Sequence, residues 1–229
     1  MMSSTILNKD AFCEDLGIDP ADAAFLSLGS PFPPENRHVL FRPAMRVNAA
    51  WANDENISGR RKLIRQTEKI LDMHNEDSGI IHTANFAISQ WLVDELDTVH
   101  KIFHHNPGCD QDRNTVIDAF QEYDKPSVLI SPSITEGLDL ADDLARFAIF
   151  AKVPFGYLGD AWVRRRMDLS NEWYQRQALT EIIQGGGRVV RGADDWGMTY
   201  ILDENWRRLF QSTYRMIPQW YRDGYNKIR

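Results

Sequence analysis

Arg188 and Arg191 stand three residues apart, directly after three consecutive glycines, in the stretch QGGGRVVRGADDWG from Gln184 to Gly197. A guanidinium group is permanently charged, planar and multidentate, so it suits phosphate oxygens. Glycine lets a backbone pass close to a ligand or to another surface. In phosphoryl transfer, an arginine from a second element can stabilise the charge that builds on the transferred phosphate. The stretch therefore indicates phosphate chemistry.

The same stretch also fits a purely structural role. A helical pattern runs into the glycines, which interrupt it. A glycine C-cap followed by a strand with solvent-facing arginines would have this sequence as well. The residues alone leave both interpretations open.

A second constellation, SPSITEGLDL, directly follows the core-strand pattern SVLI. It combines hydroxyl side chains with a carboxylate on each side of a glycine turn. These residues are Ser131, Ser133, Thr135, Glu136, Gly137 and Asp139. They could hold phosphates, or they could form a capped strand-to-helix loop with solvated acids.

The sequence lacks the motifs that normally bind a triphosphate and its magnesium ion. It contains no GxxxxGK[ST] phosphate loop and no DExH or DEAH stretch. Any nucleotide chemistry therefore needs groups that this chain does not supply.

The composition allows one large domain or two small ones, since 43% of the 229 residues are hydrophobic. The net charge of −7 argues against a wholly basic nucleic-acid surface but allows a local groove. Cys13 and Cys109 form neither a disulfide framework nor a CxxC pair. There is no signal peptide and no apolar run near the roughly 20 residues that span a membrane. We therefore expect a cytoplasmic protein.

Strand and helix patterns alternate from about residue 60 to residue 202, which predicts an α/β fold with a parallel sheet and helices on both faces. Helices are predicted over residues 9–16, 60–74, 85–96, 113–123, 170–183 and 205–225, the last broken at Pro218. Strands are predicted over residues 38–41, 79–84, 100–103, 127–130, 147–151 and 198–202. Such sheets bind ligands at the carboxyl ends of their strands. The loops after Ile130 and around Arg188 are therefore the first candidate sites.

Taken together, the motifs resemble the second motor domain of superfamily 2 helicases, most closely the XPD/DinG-like branch. QGGGRVVR, from Gln184 to Arg191, is similar to the family's motif VI, QxxGRxxR. TEGLDL (135–140) is similar to motif V of the EGxDF type, with leucine where an aromatic residue is usual. GIIHTAN (79–85) resembles motif IV, and SSTIL (3–7) resembles the SAT motif III that closes the first motor domain. Further family-like segments are residues 30–32, 113–120 and 152–155.

The resemblance covers nearly the whole chain and implies a single RecA-like domain over residues 1–229, part of an ATP-dependent helicase. Residues 1–8 would be the remnant of the motif III region, 30–202 the core and 203–229 C-terminal helices. The phosphate loop, the magnesium-binding acids and any iron–sulfur insert would belong to a first domain. No iron–sulfur cluster is expected in this chain.

The resemblance also implies roles for individual residues. ATP, with Mg²⁺ held mainly by the first domain, would bind between the two domains. Arg188 and Arg191 would act as catalytic arginine fingers, and Gln184 would connect the nucleotide to the domain interface. The implied nucleotide-binding residues are Glu136, Gly137, Asp139 and Gly187. The implied contacts to single-stranded DNA, or RNA, are His82, Thr83, Ser131 and Ser133.

Three further groups of residues favour structural explanations. His100, His104, His105 and Cys109 lie close in sequence but match no zinc spacing. The run Arg164 to Arg166 after Trp162 could touch phosphates or form a solvated helix face. The C-terminal aromatic residues more often pack than stack on bases; they are Trp206, Trp220, Tyr221 and Tyr225.

Two other functions remain open at this point. The chain could be a stand-alone nucleic-acid or protein interaction module that keeps a motor fold without motor activity. It could instead be a complete enzyme that binds a nucleotide sugar, with the two arginines on its diphosphate. The motor-domain hypothesis predicts that this chain alone neither hydrolyses ATP nor unwinds DNA. The interaction module differs from it in predicting that no partner domain is encoded upstream.

Overall fold

A seven-stranded sheet in the order β3-β4-β2-β5-β6-β1-β7 forms the centre of the computed structural model. The structure describes residues 5–105, 112–124, 126–132, 142–190, 192 and 194–226. All neighbouring strands run parallel. The strands are β1 (Arg37–Met45), β2 (Gly79–His82), β3 (Lys101–His104), β4 (Ser127–Ser131), β5 (Phe147–Phe150), β6 (Gly197–Asp203) and β7 (Tyr225–Asn226).

Five of the helices in the described part of the chain begin at side-chain caps. The helices are α1 (Lys9–Leu16), α2 (Ile57–Met73), α3 (Phe86–Glu95), α4 (Arg113–Gln121), α5 (Ala161–Leu169), α6 (Asn171–Gly186), α7 (Asn205–Ser212) and α8 (Gln219–Asp223). Five N-cap side chains accept backbone N–H groups, namely Asn8, Asn85, Asp112, Asp160 and Ser170. In the same part of the chain, α2, α7 and α8 begin without a side-chain cap. Within the described ranges, no helix combines the length and the apolar character needed to cross a bilayer.

Alternating side chains give the sheet two apolar faces. On β5, Phe147 and Ile149 point to a core that includes buried residues of α2 and α3. Ala148 and Phe150 belong to the cores on the opposite face, which contain residues of α4, α6 and α7. A strand buried on both faces reads as a continuous apolar run, which is why Phe147–Phe150 has no polar alternation.

The parallel α/β sheet with helices on both faces is confirmed. The helix over residues 9–16 is confirmed to the residue, and Gly17 ends it in the left-handed region at φ 69°. β1 is longer than predicted and continues to Met45 through Pro43, where its register against β6 shifts. A proline can lie within a strand where such a bulge removes the need for its N–H.

The C-terminal segment differs from the helical prediction. The break at Pro218 is confirmed, since this residue precedes α8. Residues 225–226 then form β7 beside β1. A two-residue strand carries too little pattern to be recognised from sequence.

Asp203, at the carboxyl end of β6, connects three parts of the chain. Its buried carboxylate accepts N–H groups from Val47 at 3.1 Å, Val153 at 2.9 Å and Asn205 at 2.9 Å. Burial raises the pKa of Asp203, although these hydrogen bonds oppose the shift. The carboxylate thus links the segments that leave β1, β5 and β6.

We expect Asp203→Ala to lower the free energy of unfolding by about 3 kcal/mol or more, because buried N–H donors lose their acceptor. Urea unfolding followed by circular dichroism measures the change. Asp223→Ala, at the end of α8, serves as the control. Equal stability of the two variants would contradict the role given to Asp203.

Candidate functional site

Three side chains lie next to one another on adjacent strands at the carboxyl edge of the sheet. His82 is the register partner of Ser131 on β4 and of Phe150 on β5. The imidazole stacks on the Phe150 ring, with 4.5 Å between centroids and 11° between planes. All three residues are buried. Sequence reasoning missed Phe150, because an aromatic at the end of a core strand looks like any other packing residue.

The end of α6 lies directly on this row. A Cβ at Gly185 would stand 2.9 Å from Phe150 Cζ and 3.3 Å from both His82 Cε1 and Nε2. One residue on, a Cβ at Gly186 would stand 2.9 Å from Thr199 Oγ1. The glycines therefore allow a close approach of helix backbone to sheet.

This packing corrects the prediction that the glycines interrupt the helix. α6 continues through Gly186, and Gly187 has φ −73° and ψ −3°, so no left-handed glycine cap is formed. A short 3₁₀ turn, Gly187–Val189, follows instead of a strand, and β6 begins only at Gly197. The interpretation as a glycine cap with a strand of solvent-facing arginines is therefore wrong.

Arg188 lies in this turn and is half-buried. Its charge acts on His82, where burial is the larger effect and Arg188 the smaller, and together they lower the pKa of the imidazole to about 3. His82 is therefore neutral at physiological pH. Its Nε2 atom is buried, and no hydrogen-bond partner for it exists among the described residues.

Gln184, one turn before Arg188, contacts the start of the chain. Its Nε2 donates a hydrogen bond of 2.6 Å to Thr5 Oγ1. Thr5 is buried, although it lies near the N-terminus. The structure thus joins the two segments that resemble motifs III and VI.

A cleft of about 770 Å³ borders the same turn. Its wall includes Gln184, Gly187, Arg188, Thr5, Leu28 and Trp220. Gly187 is exposed, and a Cβ built on it would meet nothing within 4 Å. A ligand or a second domain therefore has access to the backbone of Gly187.

The loop after β2 is fixed by Thr83. Its N–H donates to Ser131 O at 3.1 Å, and its hydroxyl lies 2.6 Å from Ser89 Oγ. Ala84 then adopts φ 51°, in the left-handed region, and Asn85 caps α3. The side chains of His82, Thr83 and Ser131 are therefore turned inward in this conformation.

The structure brings Gln184, Gly187, Arg188 and His82 together around the end of α6, with Ser131 and Thr83 beside them. The remaining predicted site residues lie outside the described residues, and these are Arg191, Ser133, Glu136, Gly137 and Asp139.

Residues from the three groups for which the sequence favoured structural explanations make contacts within the domain. Arg166 donates to Asp15 at 2.7 Å, while Arg176 donates to the other oxygen of the same carboxylate at 2.6 Å. His100 Nε2 lies 3.0 Å from the His74 carbonyl oxygen, and Trp206 is fully buried. Among the residues that the structure describes, no three His, Cys, Asp or Glu side chains converge on a metal position.

Comparison with known proteins places the chain among helicase sequences and folds. Residues 78–224 match the model of the helicase C-terminal domain. The ATP-dependent DNA helicase DinG of Photobacterium profundum is 27% identical over 222 residues, which cover 89% of this chain and 30% of that protein. The regulator of telomere elongation helicase 1 homolog of Drosophila grimshawi is 30% identical over 161 residues, which cover 61% of this chain and 16% of that protein.

The solved structures agree in fold. An apo structure of XPD has a TM-score of 0.64 at 17% identity and covers 99% of this chain, which corresponds to 48% of the XPD chain. The chain thus spans less than half of that XPD chain and less than a third of the two curated relatives.

We expect Gly185→Ala to lower the free energy of unfolding, and Gly187→Ala to leave it unchanged or to raise it. The first places a methyl group against Phe150 and His82, at a cost of about 1–3 kcal/mol that exceeds the helix preference for alanine. The second meets open space, so stability should stay equal or rise by up to about 1 kcal/mol. Urea unfolding of both variants measures the difference, and equal values would contradict the close approach at Gly185.

The low pKa of His82 also makes stability depend on pH. Below its ordinary pKa of 6.5, the imidazole is protonated in the unfolded chain but stays neutral in the folded one. Stability is therefore lost as the pH falls from about 6.5 toward about 3, with a slope near 1.4 kcal/mol per pH unit.

Between about pH 7.5 and about pH 5.5, we expect the wild-type protein to lose about 1 kcal/mol more stability than His82→Gln. Urea titrations at both pH values measure this, and His38→Gln, at a half-buried surface position, is the control. Burial also lowers the pKa of His100, but that contribution is common to all three proteins. Identical pH dependence of the wild type and His82→Gln would contradict a neutral buried imidazole.

Proposed function

The chain belongs to the helicase C-terminal domain family, in its XPD/DinG branch, and from this premise we propose that it is the second motor domain of an ATP-dependent DNA helicase or translocase. In this proposal residues 1–229 form one domain with a core over residues 30–202. The observation that carries it is the position of Arg188 at the cleft, beside the exposed backbone of Gly187.

Arg188 and Arg191 would act as arginine fingers toward ATP bound by the first domain. A permanently charged guanidinium suits the charge that develops on a transferred phosphoryl group. The α6 backbone is seated on His82 and Phe150, which fixes where the turn carrying Arg188 begins. A neutral His82 adds no second positive charge beneath this arginine.

In the proposed motor, this chain would provide only some of the contacts to the nucleotide. Gly187 offers an accessible backbone, and Gln184 connects the turn to Thr5. We assign Glu136, Gly137 and Asp139 to the nucleotide by resemblance to motif V. Bound ATP would supply the phosphoanhydride, and Mg²⁺ would be held mainly by the first domain, because this sequence has no phosphate loop.

The apolar segment before β1 supports a partner domain next to the cleft. Leu26 and Leu28 expose 80% and 75% of their surface, and Phe25 is exposed as well. Leu28 also lines the cleft. Adjacent exposed apolar side chains are typical of surfaces that another domain covers. In the proposed motor, that domain is the first RecA-like domain.

The proposed track for single-stranded DNA follows the carboxyl edge of the sheet. The contacts assigned to His82, Thr83, Ser131 and Ser133 stay a prediction. Because the first three side chains are buried, we propose that backbone groups of these loops face the strand while the side chains hold the loops in place. Backbone contacts carry no base information, so little sequence preference is expected.

In a protein that joins this chain to the first motor domain encoded upstream in the same reading frame, we expect DNA-stimulated ATP hydrolysis. Arg188→Ala and Arg191→Ala should each lower kcat by about 10³-fold, because removal of an arginine finger costs that much or more. Arg208→Ala, at an exposed position on α7, should leave it unchanged. A coupled assay of phosphate release measures all four proteins, and this chain alone should show no hydrolysis.

The same assay, together with a measurement of nucleotide-sugar binding, distinguishes the competing functions. ATP turnover by this chain alone, abolished in Arg191→Ala, would contradict a motor that needs a first domain. Activity of the joined protein that is indifferent to both arginines, or no activity at all, would favour an interaction module with a degenerate motor fold. Binding of a nucleotide sugar by this chain alone would favour the third function.

A further inference from the structure

An exposed surface of aromatic and basic residues follows β5, and we call it the Trp162 surface. It comprises Tyr157, Trp162, Arg164 and Arg165. Tyr157 and Trp162 expose 79% and 63% of their surface, and both arginines are exposed. Tyrosine and tryptophan side chains are rarely left this open without a partner, because they carry large apolar faces. The contacts within the domain leave most of both side chains exposed.

The path of the chain leads from the carboxyl edge of the sheet to this surface. Ala151 N–H donates to His82 O at 3.0 Å, and Val153 N–H donates to Asp203. The loop that then carries Tyr157 therefore starts at the carboxyl ends of β2, β5 and β6. This is the edge along which the single strand is proposed to run.

Contacts with α6 and with Arg166 hold the indole of Trp162 in place. Asp160 caps α5 by accepting the N–H groups of Trp162 and Val163 at 2.8 and 3.0 Å. The Trp162 ring meets Trp173 of α6 edge-on, with 5.5 Å between centroids. Arg166 lies over both rings, at 5.8 and 4.9 Å, and is anchored by Asp15. One of the three consecutive arginines is thus structural, and it braces the exposed ring.

The other two arginines give the surface its charge. Arg164 Nε donates to Leu158 O at 2.9 Å, which directs the side chain back along the loop that carries Tyr157. Arg165 is exposed on the next position of α5. The stretch Ala161–Leu169 contains three arginines and a single aspartate, in a chain whose net charge is −7. A local cationic surface on an acidic protein favours an anionic partner.

We propose that the Trp162 surface binds single-stranded DNA, with bases stacked on Trp162 and Tyr157 and phosphates held by Arg164 and Arg165. Exposed aromatic rings next to guanidinium groups are the combination by which proteins hold unpaired bases. A duplex hides the faces of its bases, so it cannot use the rings in this way. The inference rests on the proposed motor function and adds a binding surface beyond the residues that resemble the family motifs.

Fluorescence anisotropy with a labelled oligothymidylate of about 20 nucleotides tests this binding directly. Trp162→Ala should raise Kd by about 5-fold to 150-fold, which is the usual loss for one stacked base. Trp162→Phe should recover part of the affinity. The logarithm of the binding constant falls with the logarithm of the salt concentration. Arg165→Ala should make this slope less steep by about 0.7, the value for one phosphate contact on a single strand.

Matched controls come from the turn between α7 and α8. Tyr214 is 49% exposed and has Arg222 over its ring at 4.9 Å, so Tyr214→Ala removes a similar aromatic–arginine pair elsewhere. Arg215→Ala removes another exposed arginine. Both should leave Kd and the salt slope unchanged. Circular dichroism and urea unfolding of each variant show whether it folds, and Arg165→Ala tests the surface even if Trp162→Ala does not fold.

The result that overturns the inference is a wild-type protein with no measurable binding, or folded Trp162→Ala and Arg165→Ala variants that bind as the wild type and the controls do. If Trp162→Ala does not fold, a folded Arg165→Ala variant with the Kd and salt slope of the wild type overturns it. Preference for duplex over single strand would also overturn it. The motor proposal is judged separately, by DNA-stimulated ATP hydrolysis of the joined protein. There, Trp162→Phe should raise the DNA concentration for half-maximal stimulation and leave hydrolysis at saturating DNA unchanged, whereas Arg191→Ala should lower hydrolysis by about 10³-fold at every DNA concentration.

Discussion

The contact on which the site depends is the one between the backbone of α6 and the carboxyl ends of β2 and β5. Gly185 lies so close to His82 and Phe150 that no Cβ fits between them. The helix is thereby seated on the central strands, and the turn that carries Arg188 begins at a fixed distance from them. A charged group at a domain interface can act on a phosphate only if its position is held before the ligand arrives. The glycines thus position the arginine that follows them.

Burial of His82 explains how a cation can be held beside an imidazole. The ring is stacked on Phe150, covered by α6 and kept neutral by desolvation and by the charge of Arg188. A protonated imidazole at the same place would repel the arginine and would need a solvated or acidic surrounding. The stacked neutral ring instead provides a flat, rigid surface for the helix. The same burial is the reason why we propose backbone contacts, and not the His82 side chain, toward a single strand.

The carboxyl edge of the sheet is held together by main-chain groups as much as by side chains. Asp203 accepts N–H groups from the segments after β1, β5 and β6, and Thr83 N–H donates to Ser131 O. Beyond this edge, Tyr157 and Trp162 stay largely exposed to solvent. For the single strand that we propose as the ligand of the Trp162 surface, binding would cost little ordering of the protein, because Trp173 and Arg166 already hold the Trp162 ring.

Local sequence was sufficient to determine the parallel α/β fold and the helix over Lys9–Leu16. Each of these follows from periodicity or from a short motif whose geometry is independent of distant residues. Only the tertiary structure decided that α6 runs through Gly185 and Gly186, that Gln184 contacts Thr5, and that His82 is neutral and buried. Glycine lowers helix propensity by about 1 kcal/mol, so local preference argued for a break. Contact with strands about 35 to 100 residues away outweighed that preference, because only a residue without a side chain allows the helix to lie there.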